Sequence, residues 1–510
     1  MDNPSRIFAE QHPDAPDLRT VDATTAAAQQ SIATAQANQS AAQYAGTTLL
    51  LEEVRDRLPE TGAAAEITQL GVFGQVSEIN GKFPEPQPTM GSGRAIPVSM
   101  LEGPQVDAAG AIRVGGRRAV FDGKNITDAA PILWDDQQVS GGGTSSTHST
   151  FTASVTMSVS NLTAGRRVRQ TLRRFTYQAG KGQLIQMTGV LGDPIAGVNR
   201  EKGQHDDANG VFFASRGVTS AAYPQVGVYV VIRSSTSGVP VDTAVLQGDW
   251  KLDTMDGSAS PQNPSAILLD WTKAQLFVID YQWLSLGQVR FGFKLGSRIY
   301  YVHSIESENI LTVPWASTPH LPLRDMIENS GAGPAASLIQ ICSAVFTEDG
   351  VDDIGYGFSV ERTTALTTNN DTSFYPLIAM RLRSTHLGST VRPAKITLVC
   401  STNAVFRWAL LVNPTIIGTA LSFTPYTLTS VEIDDARTNT TTVTMPSGTP
   451  SLDGGLAQQR DEGSLSAFTP TAFALGATIA GVRDVLVLAV QRLEGAAETF
   501  YASLAWRDFQ

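Results

Sequence analysis

Charge is scarce in this 510-residue chain. Only 17% of its residues are charged, and the acidic excess gives a formal net charge of −11. No global basic field would draw it onto nucleic acid or an anionic membrane surface. Cysteine is nearly absent. Cys342 and Cys400 lie in apolar runs (LIQICSAV and ITLVCST), where buried thiols are expected in preference to a disulfide. No CxxC pair exists, so no thiolate metal site is expected. The six histidines, at 12, 148, 205, 303, 320 and 386, form neither HxxxH nor HxH. There is no GxSxG elbow, Walker loop or dinucleotide fingerprint, so no local motif announces catalysis or a cofactor. No apolar run approaches the ~18 residues of a membrane-spanning helix. The opening MDNPSRIFAEQHPD lacks a signal-peptide layout. These absences predict a non-enzymatic chain without cofactor or membrane insertion, made in a reducing cytoplasm.

What the chain has in quantity is Gly, Ser, Thr and Ala, with 42% hydrophobic residues. That mixture favours β-structure with many turns over charged helices. Residues 22–45 (DATTAAAQQSIATAQANQSAAQYA) are the exception, because Ala and Gln favour helix and Asp22 can cap its start. Ile32 and Tyr44 are its only large apolar members, too few to bury much without neighbours or copies of itself. Residues 1–60 therefore read as a partly helical or extended attachment arm. Residues 61–150, with GKFPEPQPTMGSG and QVSGGGTSS, read as a Gly/Pro-rich docking or linker region with short strands at AIPVSML, AIRVGG and AVFDG.

From residue 151 the pattern becomes repetitive β. In FTASVTMSVS, Phe151, Ala153, Val155, Met157 and Val159 alternate with Thr and Ser. QLIQMTGVLG, VGVYVVIRSS, AILLDW, QLFVIDYQW, QVRFGFKL, RIYYVHS, LIQICSAVF, AKITLVCST, FRWALLVN, VLVLAVQRL and TFYASLAWRDF follow, without intervening amphipathic helices. This predicts an antiparallel β-sandwich or jelly roll, with a main body over 151–410 and a C-terminal β region over 411–510 packed on it. The stretch FVIDYQWLSLGQVRFGF reads as two strands about a turn at Leu284–Gly287. Phe277, Ile279, Tyr281, Trp283, Val289, Phe291 and Phe293 share a face, expected to be core rather than a carbohydrate-stacking platform. Asp280, Gln282, Gln288, Arg290 and Lys294 fall on a half-wet opposite face.

Two clusters stand out as candidate sites. In Gly203–Gly210 (GQHDDANG), Asp206, Asp207 and Asn209 could offer oxygen ligands to calcium, although the spacing is not that of an EF-hand and a simple turn is the commoner outcome. A second acidic loop, EDGVDD over 348–353, is read the same way. Arg166, Arg167, Arg169, Arg173 and Arg174 fall within nine residues of an acidic chain. Arginine pairs bidentately with carboxylates and is enriched at interfaces, so these residues are read as subunit contacts or intrachain ion pairs, ahead of polyanion or host-glycan binding.

The ordered segments RRVRQTLRRFTYQAGKGQLIQMTGVLG, NGVFFAS, VYVVIRSSTSGVPVDTAVLQGDW, LDWTKAQLFVIDYQWLSLGQVRFGF and STPHLPLRDMIEN, within residues 130–410, resemble large β-rich virion structural or tail-associated proteins of tailed bacteriophages. The resemblance brings no catalytic residue. It implies a virion component, a tail or baseplate fibre or a capsid decoration or head fibre. It further implies a homo-oligomer, often a trimer, held to other virion proteins through residues 1–130, with a host-surface glycan as a candidate partner.

Overall fold

Alternation fixes which way each side chain points. In SVTMSV (Ser154–Val159), Val155, Met157 and Val159 are buried while Thr156 and Ser158 are half-buried. Phe151 does not join that face, as the alternation predicts it should. It is fully exposed, because a turn with Ala153 at φ 47° precedes the strand. The structure, a computed structural model, describes residues 117–348, 355–401, 404–444, 451–458, 473–495 and 497–509. The arm read at 1–60, the strands read at 95–101 and 111–116, and the acidic loop at 349–353 lie outside the described residues.

Two β-sandwiches follow one another. In the first, one sheet runs in spatial order β13 (Arg298–Ile305), β12 (Val289–Leu295), β11 (Gln275–Tyr281), β6 (Gln183–Val190), β15 (Ala336–Glu348), β4 (Ser154–Val159) and β3 (Thr144–Ser149). Strand β1 (Arg117–Lys124) pairs with the far half of β15. The facing sheet runs β10 (Val241–Leu246), β9 (Gly227–Ser234), β8 (Gly210–Arg216), β7 (Val198–His205), β14 (Leu323–Asn329), β5 (Gly165–Thr171) and β2 (Trp134–Gly141). Pairing is antiparallel, and the chain switches sheets repeatedly in jelly-roll fashion.

The second sandwich faces a sheet of β16 (Tyr356–Thr367), β26 (Thr499–Phe509) and β18 (Thr390–Cys400) against one of β21 (Thr424–Pro425), β22 (Val431–Asp434), β17 (Tyr375–Leu382), β25 (Leu486–Arg492), β19 (Val405–Val412) and β24 (Ser451–Gln458). Strands β20 (Thr415–Ile417) and β23 (Thr442–Thr444) form a small flanking pair. The fold is mainly β and antiparallel, as the alternation predicts.

The boundaries differ from those read in sequence. Residues 117–150 supply β1, β2 and β3 to the first sandwich, and the glycines of QVSGGGTSS carry the chain across from one sheet to the other. Gly141 and Gly143 there have φ of 66° and 60°, which side-chain-bearing residues rarely adopt. Strands β16 to β19, assigned by sequence to the main body, belong instead to the C-terminal sandwich. The reason is non-local: the last strand, β26, inserts between β16 and β18 and draws them together. Cys342 and Cys400 sit in separate sandwiches and remain thiols.

The aromatic face of FVIDYQWLSLGQVRFGF is core. Phe277 pairs with Phe293, Ile279 with Phe291 and Tyr281 with Val289, all buried. Phe213 of the facing sheet meets Phe277, Phe291 and Phe293 at centroid distances of 5.2, 5.4 and 5.1 Å. Such contacts add about 0.5–1.5 kcal/mol each beyond area burial. Leu284 and Ser285 carry positive φ in the expected turn. Trp283 departs in degree: it lies beyond the end of β11, half-buried, with its ring 6.0 Å from that of Tyr177. The opposite face is drier than alternation suggests, since Asp280 is buried and ion-paired to Arg290 at 2.5 Å.

The two sandwiches touch through the ends of β2 and β5. Ala477 N donates to Leu172 O (3.2 Å), Ile479 N to Asp135 Oδ2 (2.6 Å), and Thr176 Oγ1 to Thr390 Oγ1 (2.6 Å).

Candidate functional site

Strand β7 (VNREKGQH) is buried along its whole length despite six polar residues in eight. One face of it, Val198, Arg200, Lys202 and Gln204, looks into the sandwich. The other, Asn199, Glu201, Gly203 and His205, looks outward over the sheet, and around Glu201 a polar groove opens. The groove has a volume of about 520 Å³. Its floor comes from Arg166 (β5), Met326 and Glu328 (β14), Glu201 (β7), Arg216 (β8), Arg233 (β9) and Asp242 (β10). Ser220, Ala222 and Tyr223 of the β8–β9 loop and Pro240 of the β9–β10 turn form one wall. Beneath that wall, Phe212, Ala214, Tyr229 and Val231 pack against Tyr223, so an apolar bed supports the loop.

Glu201 is the hub. Its Oε1 accepts from Arg216 and, at 3.2 Å, from Arg233. Arg233 also grips Asp242 with two bonds, Nε to Oδ1 at 2.8 Å and Nη2 to Oδ2 at 2.9 Å. The Tyr223 hydroxyl donates to Asp242 Oδ2 at 2.5 Å, and its ring centroid lies 4.2 Å from the Arg216 guanidinium. Burial by itself would raise the Glu201 pKa, but Arg216 and Arg233 outweigh it and hold the carboxyl below the usual carboxylate range. Burial, and then neighbouring Asp242, pushes the Tyr223 phenol above its ordinary value. Glu201 Oε2 and both ring nitrogens of His205 make no hydrogen bond, although all three are buried. Burial drives the His205 pKa down to about 3, so its ring is neutral at pH 7.

The two clusters singled out in sequence meet at the end of this groove. Asp206 closes the β7–β8 turn, its Oδ1 accepting from the backbone N–H groups of Ala208 and Asn209 at 2.8 Å each. Its Oδ2 accepts from Arg174 at 2.7 Å. Asp207 Oδ1 accepts from both Arg166 and Arg324 at 2.7 Å. Asn209 is a tie rather than a ligand: Oδ1 accepts from Ser235 N (3.2 Å) and Ser317 N (3.0 Å), and Nδ2 donates to Ser317 Oγ (2.9 Å). A cation here would face the guanidiniums already holding both carboxylates, and the 206–209 segment is a turn. Among the described residues no three His, Cys, Asp or Glu side chains are grouped as a metal site.

The five arginines take the intrachain alternative of their reading, each meeting partners within this chain. Arg167 forms an ion pair with Asp136 at 2.7 Å, and Arg169, buried, lies 3.5 Å from Asp136 and donates to Gln340 Oε1 at 2.6 Å. Arg173 donates to Val120 O and lies 5.4 Å from the Phe121 ring centroid. With Arg166 on Asp207 and Arg174 on Asp206, each of the five has a partner within the chain. The physical reason is their split over both faces of β5 and the turn after it: Arg167 and Arg169 meet Asp136 of β2, Arg166 and Arg174 meet the carboxylates of the β7–β8 turn, and Arg173 meets a backbone carbonyl and the Phe121 ring.

Sequence reasoning missed Glu201, Arg216, Tyr223, Arg233 and Asp242. Each is a lone residue in its own segment, and only sheet pairing assembles them. One signal was available: an Asx turn entering VFF implies a hairpin, and hence a strand over the polar run before it. A second cavity, about 210 Å³, lies where the sandwiches meet and shares Asp207 with the groove; Arg174 and Arg324 line it from the first sandwich, and Leu387 and Ile479 close it from the second.

No family model and no curated protein matches this sequence. Solved structures similar to it include a glycosyl hydrolase family protein from Mycobacterium fortuitum, 9% identical over 45% of this chain and 99% of that one, with a TM-score of 0.30. The Emp47p carbohydrate recognition domain is 8% identical over 46% and 97%, with a TM-score of 0.26. Peanut lectin is 10% identical over 46% and 97%, with a TM-score of 0.27. At these TM-scores the likenesses carry no argument about activity or ligand.

Proposed function

We propose that this chain is a non-enzymatic structural protein of a tailed-bacteriophage particle whose first sandwich recognises a surface glycan through the groove over β7. The observation that carries the recognition half is the groove itself, in which charged side chains from six adjacent strands are locked by one another into a fixed polar surface. Rigid, planar carboxylate and guanidinium groups suit the paired hydroxyls of a sugar, because they meet it without losing rotamer freedom on binding. Binding is favoured over hydrolysis because the buried carboxylate at its centre, Glu201, is held ionised and has no proton to give a leaving group at neutral pH.

The virion half rests on the ordered segments between residues 130 and 410. Within it a tail or baseplate fibre is the favoured placement, with capsid decoration or a head fibre as the alternative. Attachment falls to the N-terminal 130 residues, and a homo-oligomer, a trimer first, is the expected assembly. Electron microscopy of particles labelled with an antibody to this chain tests the placement; labelling of neither head nor tail sinks it. A glycan array probed with the purified chain, with and without calcium, tests recognition, and silence under both conditions defeats it.

A further inference from the structure

Resting on the glycan reading, we infer that the groove selects an extended, uncharged saccharide segment rich in hydroxyls and excludes sugars that bear carboxylate or sulfate groups. The lining sets the balance of charge. Glu201, Asp207, Asp242 and Glu328 face Arg166, Arg216 and Arg233, and Arg324 reaches Asp207 from below, so four carboxylates balance four guanidiniums and no cation is left in excess. Each of those guanidiniums is already paired: Arg166 with Asp207 at 2.7 Å, Arg216 with Glu201, and Arg233 with Asp242 at 2.8 Å. An anionic sugar would have to break one of these pairs to find a cation, and would leave a carboxylate facing it.

The unmet hydrogen-bonding capacity is of the opposite kind. Glu201 Oε2 is buried without a hydrogen bond. Asp207 uses Oδ1 for both its arginines, and its side chain is 62% exposed. Glu328 spends Oε2 on Asn199 Nδ2 at 3.1 Å. Glu201 Oε2 lies beneath the surface, 3.6 Å from His205 Nδ1, so it is Asp207 and Glu328 that each keep an oxygen able to accept from a hydroxyl, and hydroxyls are what a neutral sugar offers. Aromatic stacking is not available, since the Tyr223 ring already lies against Arg216. Length follows from the sheet: Arg166 and Asp242 stand on β5 and β10, five strand spacings apart, which is about 24 Å at about 4.8 Å per spacing. A single ring would fill only part of that track.

Titration calorimetry on the full chain at low salt tests this, using malto-, cello- and chito-oligosaccharides against oligogalacturonate and heparin-derived oligosaccharides of matched length. At least one neutral series binds, strengthening as the oligomer lengthens, and the acidic series bind at least ten-fold more weakly. The variant Asp207→Asn, which releases Arg166 and Arg324 at an exposed position, narrows that gap by raising acidic binding. Acidic oligomers binding as tightly as neutral ones, or an unchanged gap in Asp207→Asn, overturns the selectivity while leaving glycan recognition standing. Binding of neither class removes glycan recognition itself and this inference with it.

Discussion

Lys202 Nζ stands 2.5 Å from Asp325 Oδ1 in the interior of the first sandwich, and neither side chain is exposed. The two are cross-strand partners on β7 and β14. Asp325 is in turn opposite Arg169 on β5, and Arg169 is opposite Asp136 on β2. A row of alternating charge thus crosses four strands on the inner face, each member neutralising the next where water cannot.

Removing one end of that row should be costly. Lys202→Met leaves Asp325 buried without its closest cation, and a loss of about 3–5 kcal/mol is expected in urea unfolding. The double variant Lys202→Met with Asp325→Leu should recover most of it, since Arg169 keeps Asp136 and Gln340. A double variant no more stable than the single one would contradict the pairing.

The groove makes a parallel prediction on the outer face. Glu201→Gln takes the common counter-charge from Arg216 and Arg233, both largely buried, and should destabilise by about 3–5 kcal/mol. Hydrogen exchange should rise first in the β8–β9 loop, whose Tyr223 leans on Arg216. Exchange unchanged in that loop would show that the network does not hold it.

Stability should fall on mild acidification before the carboxylates titrate. His205 has its pKa depressed to about 3 by burial, against an ordinary value of 6.5, so the unfolded chain binds the proton first. Its contribution is complete above pH 6.5 and is lost as pH falls towards 3, about 2 kcal/mol of it by pH 5. His303, depressed to about 4 chiefly by burial, acts in the same direction. In His205→Gln the slope of urea midpoint against pH between 6.5 and 5 should flatten; an unaltered slope would mean that His205 is not buried neutral.

Two phenylalanines near in kind should differ widely in effect. Phe213→Ala opens a cavity among Phe277, Phe291 and Phe293 and should cost about 3–5 kcal/mol. Phe151→Ser, at a fully exposed turn, should stay within about 0.5 kcal/mol of the parent. Thermal melts of both variants check this.

Local alternation was enough to set the class of fold. It placed Phe277, Ile279, Tyr281, Phe291 and Phe293 on one buried face, because a two-residue period is a property of the strand itself. It also overreached: AILLDW is an apolar run whose Leu269 and Trp271 plug the core from a loop, with Ala266 at φ 53°. It did not find β7, whose charges look like a solvated segment until Asp325, Arg216 and Arg233 arrive from strands up to 123 residues away to neutralise them. The sandwich boundary was hidden for the same reason, since it depends on where β26 inserts. A residue's face can be read from its neighbours in sequence. Its charge partners, its sheet and its groove are set by register between distant strands, and only the tertiary structure decides that.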